Sequence, residues 1–440
     1  MTISRRLFCG SALVLPLPVM AAPAPVIVPP VVPNIPARTV EATVTAGDNA
    51  SALQAAIDAL HAAGGGTLVI PKGTWSTGAL FLKSRTRIFL SEGAELRGSD
   101  DLAAYPRRQV RWEGRWVEGH ASLLHAEKAD DIAIAGPGKI TGSSTVGGMP
   151  SAAYPFRHPA LIEPVDCRRI VLEDFSTAYD RMWNIHPTRC DDLTIRRLTI
   201  RSSENGRDGI DVDSCRRVAI THCDIATGDD CISLKSGRGL EGVIDHRPTE
   251  DVLISDCTFA DWNWACIGIG SEMSGGIRGV RIENCRFVKA KTHAIYLKGQ
   301  VGRGGYVEDL SVENADISGT GLGAIRINFV SSGKHDERPV PGEAGIPRIA
   351  NFRFRNLRVH DVPQLLEAWE IDPAKPLEGL VLEDITGTAA KGLLLAHMRD
   401  VRVANVHLDG VEGPLVSIKD VTGKGLRGAA VLPEMLKPKT

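Results

Sequence analysis

The sequence predicts an all-β fold: a solenoid of short parallel strands stacked coil upon coil, with one helix over its amino-terminal end. Two patterns carry this. Alternating apolar pairs recur as Ile132/Ile134, Ile170/Leu172, Leu193/Ile195, Val218/Ile220, Val252/Ile254, Val280/Ile282, Leu310/Val312, Phe352/Phe354, Leu380/Leu382 and Val401/Val403, mostly 21 to 34 residues apart. A second short strand often follows, as in Gly209-Ile-Asp-Val212, Cys231-Ile-Ser-Leu234, Cys266-Ile-Gly-Ile269, Ala294-Ile-Tyr-Leu297 and Ala324-Ile-Arg-Ile327. Strands this short cannot bury a face alone, whereas stacked repeats share one continuous core. The 45 glycines suit many recurring tight turns. A leucine-rich repeat would need a tighter period and an asparagine ladder. A sandwich would need more hairpin signals than Asn205-Gly206 supplies.

The elements follow in order. Arg5 and Arg6 precede an apolar run from Ser11 to Ala21, which reads as a cleaved export signal over 1–21. The paired arginines point to the twin-arginine route, although an ordinary secretory signal fits the same residues. Residues 22–36 form a proline-rich spacer, expected to be extended and poorly ordered. A helix follows, capped by Asp48 or Asn49, with Leu53, Ala56, Ile57 and Leu60 on one face and Gly64-Gly-Gly66 at its end. Such a helix covers a sheet edge that would otherwise invite pairing. The repeat then runs on, giving one domain over 37–431 and a tail over 432–440.

Composition narrows the function classes. A net charge of −2 over 440 residues gives no global attraction to nucleic acid or anionic membranes, so a polyanionic ligand must meet a local basic patch. The export signal is too short to span a bilayer and no other segment is comparably apolar, so no membrane insertion is expected. Of nine cysteines, Cys9 leaves with the signal. Cys167, Cys190 and Cys215 share one register, Cys223, Cys257 and Cys285 another, and Cys231 and Cys266 a third, which predicts buried free thiols stacked inside the coils. No CxxC or paired histidine spacing is present, so neither a metal nor a cofactor is expected.

Two stretches carry the chemistry: Asp208-Gly-Ile-Asp-Val-Asp-Ser214 and Gly228-Asp-Asp-Cys-Ile-Ser-Leu-Lys-Ser-Gly237. Asp208 precedes Asp229 by 21 residues, an interval that suggests one coil, with Asp230 alongside. Strands in adjacent coils lie about 4.8 Å apart, so these acids should cluster on one face. Carboxylates this close cannot all ionise easily, and at least one pKa should rise. That division, one protonated acid and one ionised base, is what hydrolysis of a glycosidic bond requires. Asp211 and Asp213 are expected to be structural, and Lys235 to be solvated.

At these residues the chain resembles the polygalacturonases of glycoside hydrolase family 28, in a bacterial branch that includes exo-acting members. The resemblance runs from about Asp48 to about Ala404. Its motifs are Trp183-Asn-Ile-His-Pro187, Asp208-Gly-Ile-Asp-Val-Asp-Ser-Cys215, Gly228-Asp-Asp-Cys231, Gly270-Ser-Glu-Met-Ser-Gly-Gly276 and Gly302-Arg-Gly-Gly-Tyr306. It implies a single-stranded right-handed parallel β-helix of the pectin-lyase type and single displacement with inversion. It further implies Asp229 as general acid, Asp208 and Asp230 as the pair that activates water, and Lys298 as a ligand of a substrate carboxylate. The implied substrate is a pectic poly- or oligosaccharide, handled by an exported monomer.

Three positions depart from the family pattern. Its Asn-Thr-Asp reads Gly206-Arg-Asp208, its Gly-His-Gly histidine aligns with Trp264, and its Arg-Ile-Lys reads Tyr296-Leu-Lys298. Tyrosine cannot grip a carboxylate through two parallel bonds as arginine does. Tyr296 and Trp264 offer flat faces suited to stacking on a sugar. The substrate clamp is therefore altered, which suggests a neutral or deoxy sugar at one subsite, as in a rhamnogalacturonan. Alternatively the two aromatics only pack, and Arg303 or Arg326 supplies the missing charge. Glu272 is a further candidate for sugar hydroxyls, while His186 reads as structural. A polysaccharide lyase on the same fold and a non-catalytic glycan-binding solenoid remain as alternatives.

Overall fold

A computed structural model describes residues 24–43, 47–203 and 206–432. The expected export signal, with Cys9, and residues 433–440 of the expected tail lie outside the described residues. Alternating apolar strands build three long parallel sheets, and the typical coil gives one strand to each, forming a right-handed parallel β-helix. The first sheet carries the apolar pairs in the register the sequence predicts. Ile132 pairs with Ile170, followed in turn by Leu193, Val218, Val252, Val280, Leu310, Phe352 and Leu380. All are buried. The second-strand set forms the third sheet, with Ile210, Ile232, Ile267, Ile295 and Ile325 stacked in order.

The amino-terminal helix spans Ala50–Ala62 and buries Leu53, Ile57 and Leu60 against strands Gly66–Ile70 and Leu80–Leu82. Asp48 accepts the Ala50 N–H at 2.9 Å, satisfying one of the free donors of the first turn. At Gly65 a side chain would strike the Arg85 carbonyl, and its φ of 115° suits glycine. The cysteines from Cys167 to Cys285 are buried and free. Within the stacks the Cys190 N–H points at Cys215 Sγ at 3.3 Å.

The corner entering the first sheet turns on residues in the left-handed region, among them Asp131, Arg169, Asp192, Arg217 and Asp251. Aspartate tolerates this conformation better than most residues. Each arginine binds the aspartate one coil before it: Arg169 to Asp131 and Arg217 to Asp192, both at 2.7 Å.

The proline-rich segment corrects the expectation of a poorly ordered spacer. It lies extended along this corner and is tied to it by backbone N–H groups. Asn34 donates to Asp131 at 2.9 Å, Val31 to Asp192 at 3.0 Å, and Val28 to Asp251. The spacing has a geometric cause. Three residues of polyproline helix advance about 9.3 Å, and two coils advance about 9.6 Å. Every third N–H therefore meets every second coil, and prolines fill positions between that need no donor. Deleting residues 24–36 is expected to cost roughly 1 kcal/mol for each of these bonds and to lower the melting temperature in calorimetry. An unchanged melting temperature would show that the segment does not brace the coils.

Candidate active site

The third sheet points one row of side chains inward and the next outward, as any strand must. Its outward row reads His125, Glu163, His186, Asp211, Ser233, Gly268, Tyr296 and Arg326 from coil to coil. Such a row would normally face solvent, yet every member but Arg326 is buried. Over the first members the cover is an antiparallel hairpin, Arg107–Trp112 and Arg115–His120, that the sequence reading did not identify. Arg111 Nε reaches Asp213 at 2.9 Å, and Trp112 stacks on Trp183 with ring centres 4.6 Å apart. Beneath this cover Glu163 holds His186 at 3.1 Å and is also bonded to Arg157. Burial would raise the Glu163 carboxyl, but Arg157 and His186 outweigh it and hold it at about 2. His186 is thus a structural residue beneath the cover. The covered row ends where an open cleft begins.

Asp208, Asp229 and Asp230 all line that cleft. The register places them differently from the sequence expectation. Ile210 pairs with Ile232, so the partner of Asp208 on the next coil is Asp230, not Asp229. The Gly209 N–H accordingly bonds the Asp230 carbonyl at 3.0 Å. Asp229 sits one position earlier, half-buried, its carboxylate accepting the Gly206 and Asp230 N–H groups at 3.0 and 2.9 Å.

Asp208 and Asp230 each face a lysine. Lys298 Nζ lies 2.8 Å from Asp230 Oδ2, which also accepts the Ser233 hydroxyl at 3.1 Å. Lys235 Nζ lies 2.5 Å from Asp211 and 3.6 Å from Asp208, and 4.2 Å from the centre of the Trp183 ring. Lys235 is therefore buried and paired, not solvated as expected. Burial raises the Asp208 carboxyl well above the ordinary range, helped by the charges of Asp211 and Asp229. Burial likewise raises Asp230 to about 6, although Lys298 pulls the other way. The cluster thus holds at least one proton near neutrality, the state that acid/base hydrolysis needs. A side chain at Gly268 would collide with the Asp230 carboxylate, so the next coil leaves the space this acid occupies.

The other candidates separate into two groups. Lys298, Trp264 and Glu272 line the same cleft. Trp264 is 40% exposed, while Tyr296 is only 7% exposed and receives the Ser332 hydroxyl at 2.9 Å behind it. Arg303 does not face the cleft. It is fully buried, with its donors on Asp336, the Ser271 carbonyl and the Lys334 carbonyl. Arg326 is committed to Glu370 at 2.5 Å. Neither arginine is free to replace the family's missing one. Asp211 and Asp213 are buried partners of Lys235 and Arg111, as expected of structural acids.

Sequence reasoning missed several residues. Asp261 is fully buried and accepts the N–H groups of Asn263, at 2.9 Å, and Trp264. Burial raises its carboxyl to about 8, with Asp230 and Asp229 acting in the same direction. Asn263 in turn donates to the Gly228 carbonyl at 2.9 Å, fastening the Trp264 turn to the loop of the acids. The Asx-turn pattern of Asp261-Trp-Asn263 was the available signal. Arg238 and Lys334 also line the cleft, beside Glu113 from the hairpin tip. Among the described residues no group of three or more His, Cys, Asp or Glu side chains is arranged to hold a metal ion.

The site can be set beside known proteins. A probable polygalacturonase of Vitis vinifera is 29% identical over 357 residues, covering 77% of this chain and 70% of that protein. An exo-poly-alpha-D-galacturonosidase of Dickeya chrysanthemi is 22% identical, covering 86% of this chain and 72% of that protein. Among solved structures, a hyperthermoactive exopolygalacturonase from Thermotoga maritima matches with a TM-score of 0.77 at 24% identity, over 87% of this chain and 94% of that one. A family 28 exopolygalacturonase of Yersinia enterocolitica matches at 0.75 and 18% identity, over 88% of this chain and 78% of that one. Those likenesses carry the fold. Residues 68–357, which hold the acids, both lysines and most of the three sheets, match the family model described as glycosyl hydrolases family 28, and to that family this chain belongs.

Proposed function

We propose that this hydrolase cleaves an acidic pectic chain by single displacement with inversion, working from a chain end. The observation that supports it is the placing of three carboxylates and two lysines on adjoining coils, at the point where the hairpin cover stops. Asp229 is the general acid for the leaving oxygen. Asp230, ionised above about pH 6, takes the proton of the attacking water, and Asp208 on the neighbouring coil helps to hold that water. Lys298 binds a sugar carboxylate. Inversion places acid and base on opposite faces of the sugar with a water between them. Trp112, Trp183 and the hairpin wall off one end of the groove, leaving little room for sugars on that side of the acids. This favours release from a chain end. Membership of a hydrolase family leaves the lyase and glycan-binding readings behind.

Trp264 and Tyr296 favour a second, finer reading. An exposed tryptophan face beside an uncharged tyrosine suits a sugar without a carboxylate, as rhamnose would be in a rhamnogalacturonan. We take residues 37–431 as one catalytic domain, and residues 1–21 as the signal that exports it, by the twin-arginine route, to where pectic polymers lie. Defined oligosaccharides of homogalacturonan and rhamnogalacturonan test these readings, with products identified by mass and fresh anomers by NMR. Mono- or disaccharides of inverted configuration are expected from the first minutes. Retained configuration would sink the mechanism, and an early spread of product lengths would sink chain-end action.

A further inference from the structure

The sequence lacks an arginine at Tyr296, and the structure commits Arg303 and Arg326 elsewhere. The cleft nevertheless contains an arginine. Arg238 leaves the third sheet three residues after Lys235 and lies at the cleft wall with its side chain 11% exposed. Its Nη1 is 3.2 Å from Glu113, its backbone N–H bonds the Gly114 carbonyl at 3.1 Å, and its Nε is buried with no partner. Lys334 reaches the same Glu113 carboxylate from the facing loop. That loop is held from behind, because Asp336 is bonded to both Arg303 and Arg115. Two cations from separate loops thus converge on one carboxylate at the tip of the hairpin, inside the cleft that holds the catalytic acids.

We propose that Arg238 and Lys334 form a second carboxylate-binding subsite for a uronate residue of the substrate, with Glu113 as the internal carboxylate that fills it until sugar binds. The proposal deepens the hydrolase reading and rests on it for turnover. The chemistry is specific. A guanidinium offers the planar donors that a carboxylate takes up, and a lysine adds charge without that geometry. Glu113 presents the same group as a uronate, so the site is already shaped for it. Glu113 and Lys334 meet near the surface, with the Lys334 side chain 69% exposed, so their contact is weak and exchangeable.

The test has two arms. In the first, KM and kcat are measured on an acidic pectic oligosaccharide and on its carboxyl-reduced form. Arg238→Gln is expected to raise KM for the acidic substrate about 10- to 100-fold with little change on the reduced one. Arg238→Lys should fall between, and Glu113→Gln should lower KM for the acidic substrate by removing the competitor. An equal loss on both substrates, or a higher KM in Glu113→Gln, would overturn the subsite. In the second arm, binding of galacturonic acid and of methyl galactoside is followed by calorimetry, which needs no turnover. Wild type should prefer the acid and Arg238→Gln should weaken that preference, the remainder resting on Lys298; an unchanged preference in Arg238→Gln, or equal binding of both sugars by wild type, would overturn the proposal. Failure of the hydrolase reading shows separately, as no product from any pectic substrate.

Discussion

Asp229→Asn is expected to lower kcat on a pectic oligosaccharide by about 10²- to 10⁴-fold while KM stays within a few-fold of wild type. The asparagine keeps the shape of the carboxylate and can still accept one of the two N–H bonds from Gly206 and Asp230. It cannot donate a carboxyl proton to the departing oxygen. The loss should therefore depend on the leaving group. A substrate with an acidic phenol as leaving group needs little protonation and should lose far less than the natural linkage. Equal losses on the two substrates would mean that Asp229 acts by holding the loop and not by giving a proton. Asp208→Asn and Asp230→Asn are the contrast. They should depress both substrates alike, because attack by water is needed in each case.

The fold was largely legible in the sequence because its core repeats. Each apolar pair from Ile132/Ile134 to Leu380/Leu382 took its predicted place, since one shifted residue would turn a whole strand inside out. The acids were legible as a group but not in their pairing. The interval of 21 residues counted the chain through a turn, whereas the register is set by Ile210 against Ile232 inside the core. The residues that escaped act through loops of low periodicity. The hairpin around Glu113 approaches Arg238 and Lys334 from more than one hundred residues away, and no local pattern announces such a contact. Lys235 was misread for a similar reason. Alternation said that it points outward, but only the hairpin and the neighbouring acids make that outward face a buried one. The proline-rich segment looked like a linker because its partners, Asp131, Asp192 and Asp251, are spread over some 120 residues of chain and come together only when the coils stack.

Lys298→Met should move the pH profile as well as the rate, and the direction follows from its partner. Lys298 Nζ lies 2.8 Å from Asp230 and is the main influence holding that carboxyl down against burial. With the cation gone, the Asp230 pKa rises from its present value of about 6. If Asp230 must be ionised to accept the water proton, wild-type kcat/KM falls as pH drops below about 6, and in the variant this limb moves to higher pH. At pH 6 two losses combine: fewer molecules carry an ionised base, and the substrate carboxylate loses a charged donor. Together these should lower kcat/KM by about 10²-fold or more. Raising the pH restores the first loss and not the second, so kcat should recover further than KM. Lys298→Arg keeps the charge and should keep the limb near its wild-type position, at a reduced rate because the guanidinium does not fit the ammonium's place. A residue that merely packed the cleft would lower the rate at every pH and leave the limb where it was. A Lys298→Met profile with an unmoved acidic limb would thus remove Asp230 from the role of base, and with it the division of labour that places Asp229 opposite it as the acid.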